Sequence, residues 1–175
     1  MRVEVTTWYL EMLNPAQLKF SPPGDYELRI EQAKVPSPEF SRFLYSSVGG
    51  DWYWLDRLSW SYDRWLSYLD RPEVETWVAY ISGTPAGYVE LEAQGENVEI
   101  AYFGLLRQFI GKRLGGHLLS VGVQRAWAMG AQRVWVHTCS LDGPHALANY
   151  QARGFQIYHQ ETHWEELPAQ SSSSW

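Results

Sequence analysis

One cysteine, Cys139, is all the chain contains, which excludes an intrachain disulfide and any zinc site built from several thiolates. A reducing cytoplasm fits that scarcity, and the cytoplasm is the expected location. Cys139 lies in the strand-like run RVWVHTCSL, where a small buried residue is the usual occupant, so it reads as structural and not as a nucleophile. Long apolar runs are also missing. Nowhere do about 18 apolar residues follow one another, and the opening MRVEVTTWYLEML has no apolar stretch leading to a small-residue cleavage site. The chain therefore reads as soluble and unsecreted, with no membrane partner. Basic residues are in deficit, 14 against 20 acidic, and the resulting net charge of −6 repels phosphate backbones, so nucleic acid is not an expected partner. Two familiar phosphate loops are absent: no GxxxxGK is followed by Ser or Thr, and GKRLGG is not GxGxxG. A nucleotide triphosphatase and a dinucleotide-dependent dehydrogenase both drop out.

What is present suits one globular domain. A length of 175 residues fits a single unit, expected over 1–168, with the small polar tail AQSSSSW at 169–175 frayed. Apolar residues at 45% and charged ones at 19% lie near the globular average, so the chain should fold unaided. Ten Trp and eleven Tyr supply flat surfaces that need a core or a binding pocket to cover them.

Two extended stretches, Val3 to Met12 and Tyr26 to Gln32, open the chain around the turn formers at 21–25. Pro36, Ser37 and Pro38 start a helix through EFSRFLYSSV that Gly49 and Gly50 stop. In WLDRLSWSYDRWLSYLD, Leu55, Leu58, Tyr62, Leu66 and Leu69 recur at spacings of three and four, which predicts a second helix with that stripe buried. From Val74 the period becomes two. VETWVAYI and AGYVELEA flank the turn SGTP, and NVEIAYFGLL follows, giving three adjacent antiparallel strands. A glycine-bearing loop, Gly111 to Gly116, enters the helix LGGHLLSVGVQRAWAMG, with an expected stripe of Leu114, Leu118, Val121, Arg125 and Ala128 beside Leu119 and Val123. The strand RVWVHTCSL, the short helix HALANYQAR capped by Gly154, and the strand FQIYHQETHWEEL complete the order.

A loop entering a helix offers free N–H groups and a positive dipole end to an anion, and pyrophosphate is the natural guest. The segment EIAYFGLLRQFIGKRLGGHLL resembles the run from central strand into coenzyme-binding helix of the GNAT acetyltransferases, with Gly115 at the last glycine of the acyl-coenzyme A loop and Leu118 and Leu119 behind it. Ile110 stands where that family favours Arg or Gln, and Arg113 where it favours Gly. LDGPHALANYQARGF is similar to the family's C-terminal helix and exit through Ala146, Tyr150, Gly154 and Phe155, with Gly143 in place of the Asn that often opens it. The resemblance spans about Val74 to Phe155. It implies an α/β fold of the α+β type, with a mixed, mostly antiparallel twisted sheet flanked by helices.

The resemblance further implies an N-acetyltransferase with acetyl-coenzyme A as co-substrate, no metal, and a small-molecule amine, lysine or N-terminal amine as acceptor, with a homodimer as the expected assembly. An amine with a free pKa of about 10.4 must lose a proton before it attacks a thioester, which calls for a base. Glu99 occupies the place of a family general base, against the plain reading of a strand Glu sharing a solvent-facing side with Ala101 and Phe103 and lying opposite Val98, Ile100 and Tyr102. Glu90 and Glu92 are substitutes, and Tyr150 matches the family's general-acid Tyr. Phe103, Leu105, Leu106, Gly111, Lys112, Arg113, Leu114, Gly115, Gly116 and Tyr150 are the implied coenzyme contacts, with the N–H of Leu105 or Leu106 facing the thioester oxygen. Arg107, Lys112 and Arg113 bring positive charge to the loop, suited to pyrophosphate or the 3′-phosphate. On the acceptor side stand Trp54, Trp60, Glu90 and His137, within the aromatic run that also holds Trp52, Tyr53, Tyr62 and Trp65. Aromatic walls and the net charge favour a cationic amine. His159, Glu161 and His163 share one face of the last strand and read as polar surface rather than metal ligands. Ile110 and Arg113 leave two alternatives open: an acyl-coenzyme A sensor without turnover, and a domain whose loop Arg113 closes to the coenzyme.

Overall fold

The computed structural model describes residues 1–169, so the tail expected over 169–175 lies, but for Ala169, outside them. Seven strands form one sheet: β1 (Arg2–Met12), β2 (Leu28–Gln32), β3 (Val74–Ile81), β4 (Thr84–Gln94), β5 (Asn97–Leu105), β6 (Arg133–Cys139) and β7 (Gln156–Glu166). They lie in the order β2-β3-β4-β5-β6-β1-β7, and only β5 and β6 run parallel. The mostly antiparallel sheet flanked by helices is the expected class. The position of β1, inserted between β6 and β7, is not visible in local sequence pattern. Residues 13–27 then cross the sheet to reach β2 at the opposite edge. They are pinned by Lys19 N–H to the Arg153 carbonyl (2.8 Å), Ser21 N–H to Ser120 Oγ (2.9 Å), and the Tyr26 hydroxyl to the Lys112 carbonyl.

Helices α1 (Pro38–Gly49) and α2 (Tyr62–Leu69) cover one face of β3, β4 and β5. Ser37 caps α1 through Phe40 N–H, and Ser61 caps α2 through Arg64 N–H, each meeting a donor that the first helical turn leaves unpaired. α3 (Leu114–Ala128) and α4 (Ala146–Ala152) cover the other face, where Leu118, Leu119, Val123, Ala126 and Tyr150 close on Leu10, Val89, Leu91, Ile100 and Val136. Burying a Leu side chain of this kind contributes roughly 1.5–3 kcal/mol, so Leu118 and Leu119 anchor α3 firmly.

Three expectations are corrected. The second helix begins at Tyr62, not at Trp54: Leu55, Leu58 and Tyr62 are exposed, and the buried residues of α2 are Trp65 and Leu69. Residues 50–61 instead form an irregular loop whose interior side chain is Arg57. On α3, Val121 and Arg125 are half-buried and Ala128 is exposed, while His117, Ser120 and Gly122 lie inside, Gly122 against Val89. Finally, Glu99 does not share a face with Phe103. Leu91 pairs with Ile100 but Glu90 with Tyr102, so Ala101 is an extra, bulged residue and side-chain parity reverses across it. Glu99 therefore lies on the α1–α2 side with Tyr102, and Phe103 lies on the α3–α4 side against Tyr150. The β3–β4 turn follows its pattern: Ser82 and Gly83 both have positive φ, as a two-residue hairpin of right-handed twist requires.

Candidate active site

Strands β5 and β6 pair only from Asn97–Glu99 to Arg133–Trp135. Beyond that point β5 continues to Leu105 beside β4 alone, and a gap opens on its β6 side. Leu106 N–H donates to the Ala86 carbonyl (2.9 Å), so strand alternation turns the Leu105 N–H toward the gap. Of the two donors expected there, Leu105 is the one left unspent.

The chain leaves this gap through residues 106–113 and enters α3. Arg113, the residue just before α3, is left-handed (φ 63°, ψ 17°) and gives no side-chain cap, and the first turn carries no acidic residue. Gly111 is also left-handed at φ 82°. The first N–H groups of α3, at Leu114, Gly115 and Gly116, thus sit at the positive end of the helix dipole without a carboxylate to meet them. Lys112 and Arg113 are exposed beside them, whereas Arg107 is held by Asp51 at 2.7 Å and its charge is offset. Beyond the loop, Arg153 packs against Gly116, and its Nε is buried without a partner among the described residues. A guanidinium at the positive end of a helix, with no carboxylate paired to it among the described residues, calls for an anion. Sequence reasoning missed Arg153, which caps the end of α4 and meets Gly116 only through the packing of α4 against α3. A side chain added at Gly115 would touch only Leu105 Cδ1 (3.6 Å) and Asn149 Nδ2 (3.7 Å), which marks a narrow cleft between α3 and α4.

Tyr150 lines that cleft, buried against Phe103 and Phe155. Burial pushes its phenol pKa up, and Asp142 adds to the shift, so it stays protonated. Phe103 and Leu105 lie on this side, and Leu106 packs with Ala86, Phe109 and Leu114.

On the opposite face the bulge gathers carboxylates. Glu99 faces Glu92 across the β4–β5 ladder and Trp135 across β5–β6. Its carboxylate accepts from Gln94 Nε2 (2.9 Å) and lies 3.4 Å from His137 Nδ1. That hydrogen bond to Glu99 raises the His137 pKa against the opposing effect of burial. Glu92 is held by Arg71, and although burial works against its charge, Gln94 and Arg71 together lower its pKa. Glu90 is fully buried and bound by Arg57, a residue the sequence reading passed over because it falls off the Leu stripe. Trp60 stacks near Arg57, and Trp54 reaches from the same loop to Asp142 (3.3 Å), lying over Tyr102. Trp54, Trp60, Glu90 and His137 thus border one side of the sheet around β5, and Glu99 lies among them. Burial, with Asp142 next, raises the Cys139 thiol pKa, which keeps it a thiol. On β7, His159 pairs with Glu161 (2.9 Å) and His163 with Glu165 (2.6 Å), and no cluster of three or more His, Cys, Asp or Glu that could hold a metal occurs among the described residues.

A comparison of the sequence with family profiles matches residues 38–155 to the acetyltransferase (GNAT) family. No curated protein matches significantly. Among solved structures, a GCN5-related N-acetyltransferase from Kribbella flavida superposes with a TM-score of 0.66 at 18% identity, over 93% of this chain and 58% of that one. A second, from Sphaerobacter thermophilus, gives 0.64 at 18% identity, over 92% and 51%. An aminoglycoside acetyltransferase from an uncultured soil metagenomic sample gives 0.58 at 15% identity, over 73% and 87%. The chain spans about half to three fifths of the length of the first two.

Proposed function

The chain belongs to the acetyltransferase (GNAT) family, and on that premise we propose that it transfers an acetyl group from acetyl-coenzyme A to a primary amine by direct transfer within a ternary complex. The observation that carries this reading is the gap between β5 and β6. It has an uncapped, positively charged helix start at its mouth, a buried phenol on one side and a Glu–His pair on the other.

The residues fit the coenzyme. Leu114, Gly115 and Gly116 N–H groups, Lys112, Arg113 and Arg153 would hold its phosphates, with Gly111 letting the loop turn and Phe103, Leu105 and Leu106 flanking the acyl arm. When bound, the coenzyme supplies a thioester whose carbonyl carbon accepts the amine. The Leu105 N–H is oriented to meet negative charge on the carbonyl oxygen. Glu99, directly or through His137, takes the proton that the ammonium must lose before its nitrogen can bond to carbon. Attack leaves the nitrogen cationic, and as the carbon–sulfur bond breaks it gives up its second proton to water while Tyr150 gives its own to the departing thiolate and regains one from solvent; the net release is the one proton held by Glu99, without a covalent enzyme intermediate.

The test is turnover in Glu99→Gln, with coenzyme binding followed by thermal unfolding. Loss of nearly all turnover with the coenzyme-induced shift intact supports the base assignment, and full activity rejects it. Arg113, a side chain held at a glycine-like φ, favours a second reading in which coenzyme is bound but not used. A coenzyme-induced shift with no acetylation across a broad amine panel would select it.

A further inference from the structure

Arg57 is a cation inside the protein. It lies in the loop between α1 and α2, outside any helix or strand, yet is only 7% exposed, and Glu90 beneath it is 2% exposed. Its two terminal nitrogens donate to the two Glu90 oxygens at 2.8 and 2.9 Å, and the Tyr68 hydroxyl donates to the same carboxylate at 2.8 Å. Four rings surround the guanidinium carbon: Tyr68 at 4.3 Å, Tyr102 at 4.4 Å, Trp60 at 4.6 Å and Trp65 at 5.4 Å. Aromatic faces closing on a carboxylate are the chemistry that recognises an organic cation. Stability alone accounts poorly for the arrangement, since a buried ion pair is often no better than apolar side chains of the same volume. Among the described residues, Trp65 Nε1 and Tyr88 Oη are buried without a hydrogen-bond partner, and Trp65 is one of the rings that face Arg57.

The location is as informative as the chemistry. Glu90 is paired with Tyr102, one strand from the β5–β6 gap, and two residues along the same face is Glu92, opposite Glu99. The loop carrying Arg57 bridges that gap: Trp54 bonds Asp142 beyond β6, and Trp52 lies against Gly143. It is further held by the Arg57 N–H to Tyr45 Oη (3.2 Å), by the Trp52 and Trp54 N–H groups to the Gly49 carbonyl, by Trp54 against Tyr45 and Tyr102, by Trp60 against Trp65 and Tyr68, and by the exposed Asp51–Arg107 pair, while Tyr53 sits at a left-handed φ of 58°. Because Arg57 belongs to no helix or strand, its withdrawal breaks loop contacts but unravels neither.

We propose that Glu90, Tyr68, Trp65 and Tyr102 form the recognition pocket for an acceptor bearing two cationic nitrogens, and that Arg57 fills this pocket as the chain's own stand-in until such a molecule displaces the loop, Trp60 leaving with it. One nitrogen, guanidinium or ammonium, seats on Glu90. The other, a primary amine, is presented toward Glu99. The word acceptor rests on the acetyl-transfer reading, whereas the cation pocket and its occupancy by Arg57 do not.

The test uses the full chain without coenzyme and 1,5-diaminopentane as probe, with 1,5-pentanediol as the uncharged control. Hydrogen exchange of wild type should rise in residues 50–61 as the diamine saturates and stay unchanged with the diol. Tryptophan fluorescence titration should show Arg57→Ala binding the diamine at least ~10-fold more tightly than wild type, because the competent state no longer has to be emptied. Glu90→Gln in that background should abolish binding. If Arg57→Ala fails to fold, Arg57→Lys, which cannot grip Glu90 bidentately, should still bind more tightly than wild type. Unchanged exchange in the loop, or equal diamine affinity in wild type and the Arg57 variants, would reduce the cluster to a structural ion pair and overturn the inference. Diamine binding as described, with no acetylation across a broad amine panel once acetyl-coenzyme A is added, would leave the pocket standing and fell the transferase reading. Acetylation of diamines that Arg57 variants leave unaltered would do the reverse.

Discussion

Gly115→Ala separates the fold of α3 from its work. Gly115 lies in the first turn of α3, and an added methyl would meet Leu105 and Asn149 only at ordinary contact distances, 3.6 and 3.7 Å, so the free protein accommodates it. Replacing a helical Gly by Ala gains at most about 1 kcal/mol, less in a first turn. In a chain of this size that raises Tm by roughly 2–4 °C per kcal/mol. The same methyl narrows the cleft between α3 and α4 through which, on the proposed reading, the coenzyme would reach the helix N-terminus. At a hundredfold excess over its dissociation constant, coenzyme stabilises wild type by about 2.7 kcal/mol, or roughly 5–10 °C. Losing one charge-assisted hydrogen bond and the close approach weakens binding by on the order of 10- to 100-fold. At the larger figure the same ligand concentration only equals the new dissociation constant, and the stabilisation falls to about 0.4 kcal/mol, close to 1 °C. Differential scanning fluorimetry with acetyl-coenzyme A titrated into both proteins measures both effects. A variant at least as stable as wild type that has lost most of the ligand shift is the expected result. An undiminished shift in Gly115→Ala would mean that the phosphates do not approach the protein at this turn, and the site as drawn would be wrong.

Other outcomes follow from the same geometry. Gly154→Ala should destabilise by about 3 kcal/mol or more, visible as a large drop in Tm, because φ is +108° there and a methyl would overlap the Gln17 carbonyl. Tyr150→Phe should retain the coenzyme-induced shift while turnover falls on the order of 10²-fold, as expected for loss of a proton donor; unchanged turnover would remove Tyr150 from the reaction. The Glu99–His137 contact should give stability a defined pH dependence. Glu99 raises the His137 pKa, so the contribution is complete below the ordinary value of 6.5 and is lost as pH rises through the folded-state value above it. Chemical denaturation of wild type and His137→Gln across pH 5 to 9 checks this, and the difference between them should shrink toward the alkaline end.

Much of the architecture was legible because local chemistry dictated it. Ser82 and Gly83 suit a two-residue hairpin, Ser37 followed by Pro38 opens α1, and Gly154 ends the helix that carries Tyr150. The glycine loop and its helix could be read from residue types alone. Three things could not. One bulged residue, Ala101, reverses the parity of β5, and nothing in an alternating sequence announces an added residue. Leu55 and Leu58 stand at helical spacing yet are solvent-exposed, because Arg57 between them is drawn inward by Glu90 and its aromatic wall, a tertiary interaction that overrides periodicity. Arg153 gains its meaning only when α4 is folded against Gly116, and spacing along the chain carries no trace of that contact.

The insertion of β1 between β6 and β7 also governs how the molecule is made. Earliest of the seven described strands in chain order, β1 bonds to the last two, Arg2 opposite Glu166 and Met12 opposite Val134, so at least 120 residues separate it from either partner. Such distant pairing slows folding and leaves an apolar strand, with Val5, Leu10 and Met12 uncovered, exposed to chaperones or to other nascent chains in the interval. A nascent chain arrested before residue 133 would carry α1, α2 and the β2–β5 ladder while β1 still lacked both of its partners.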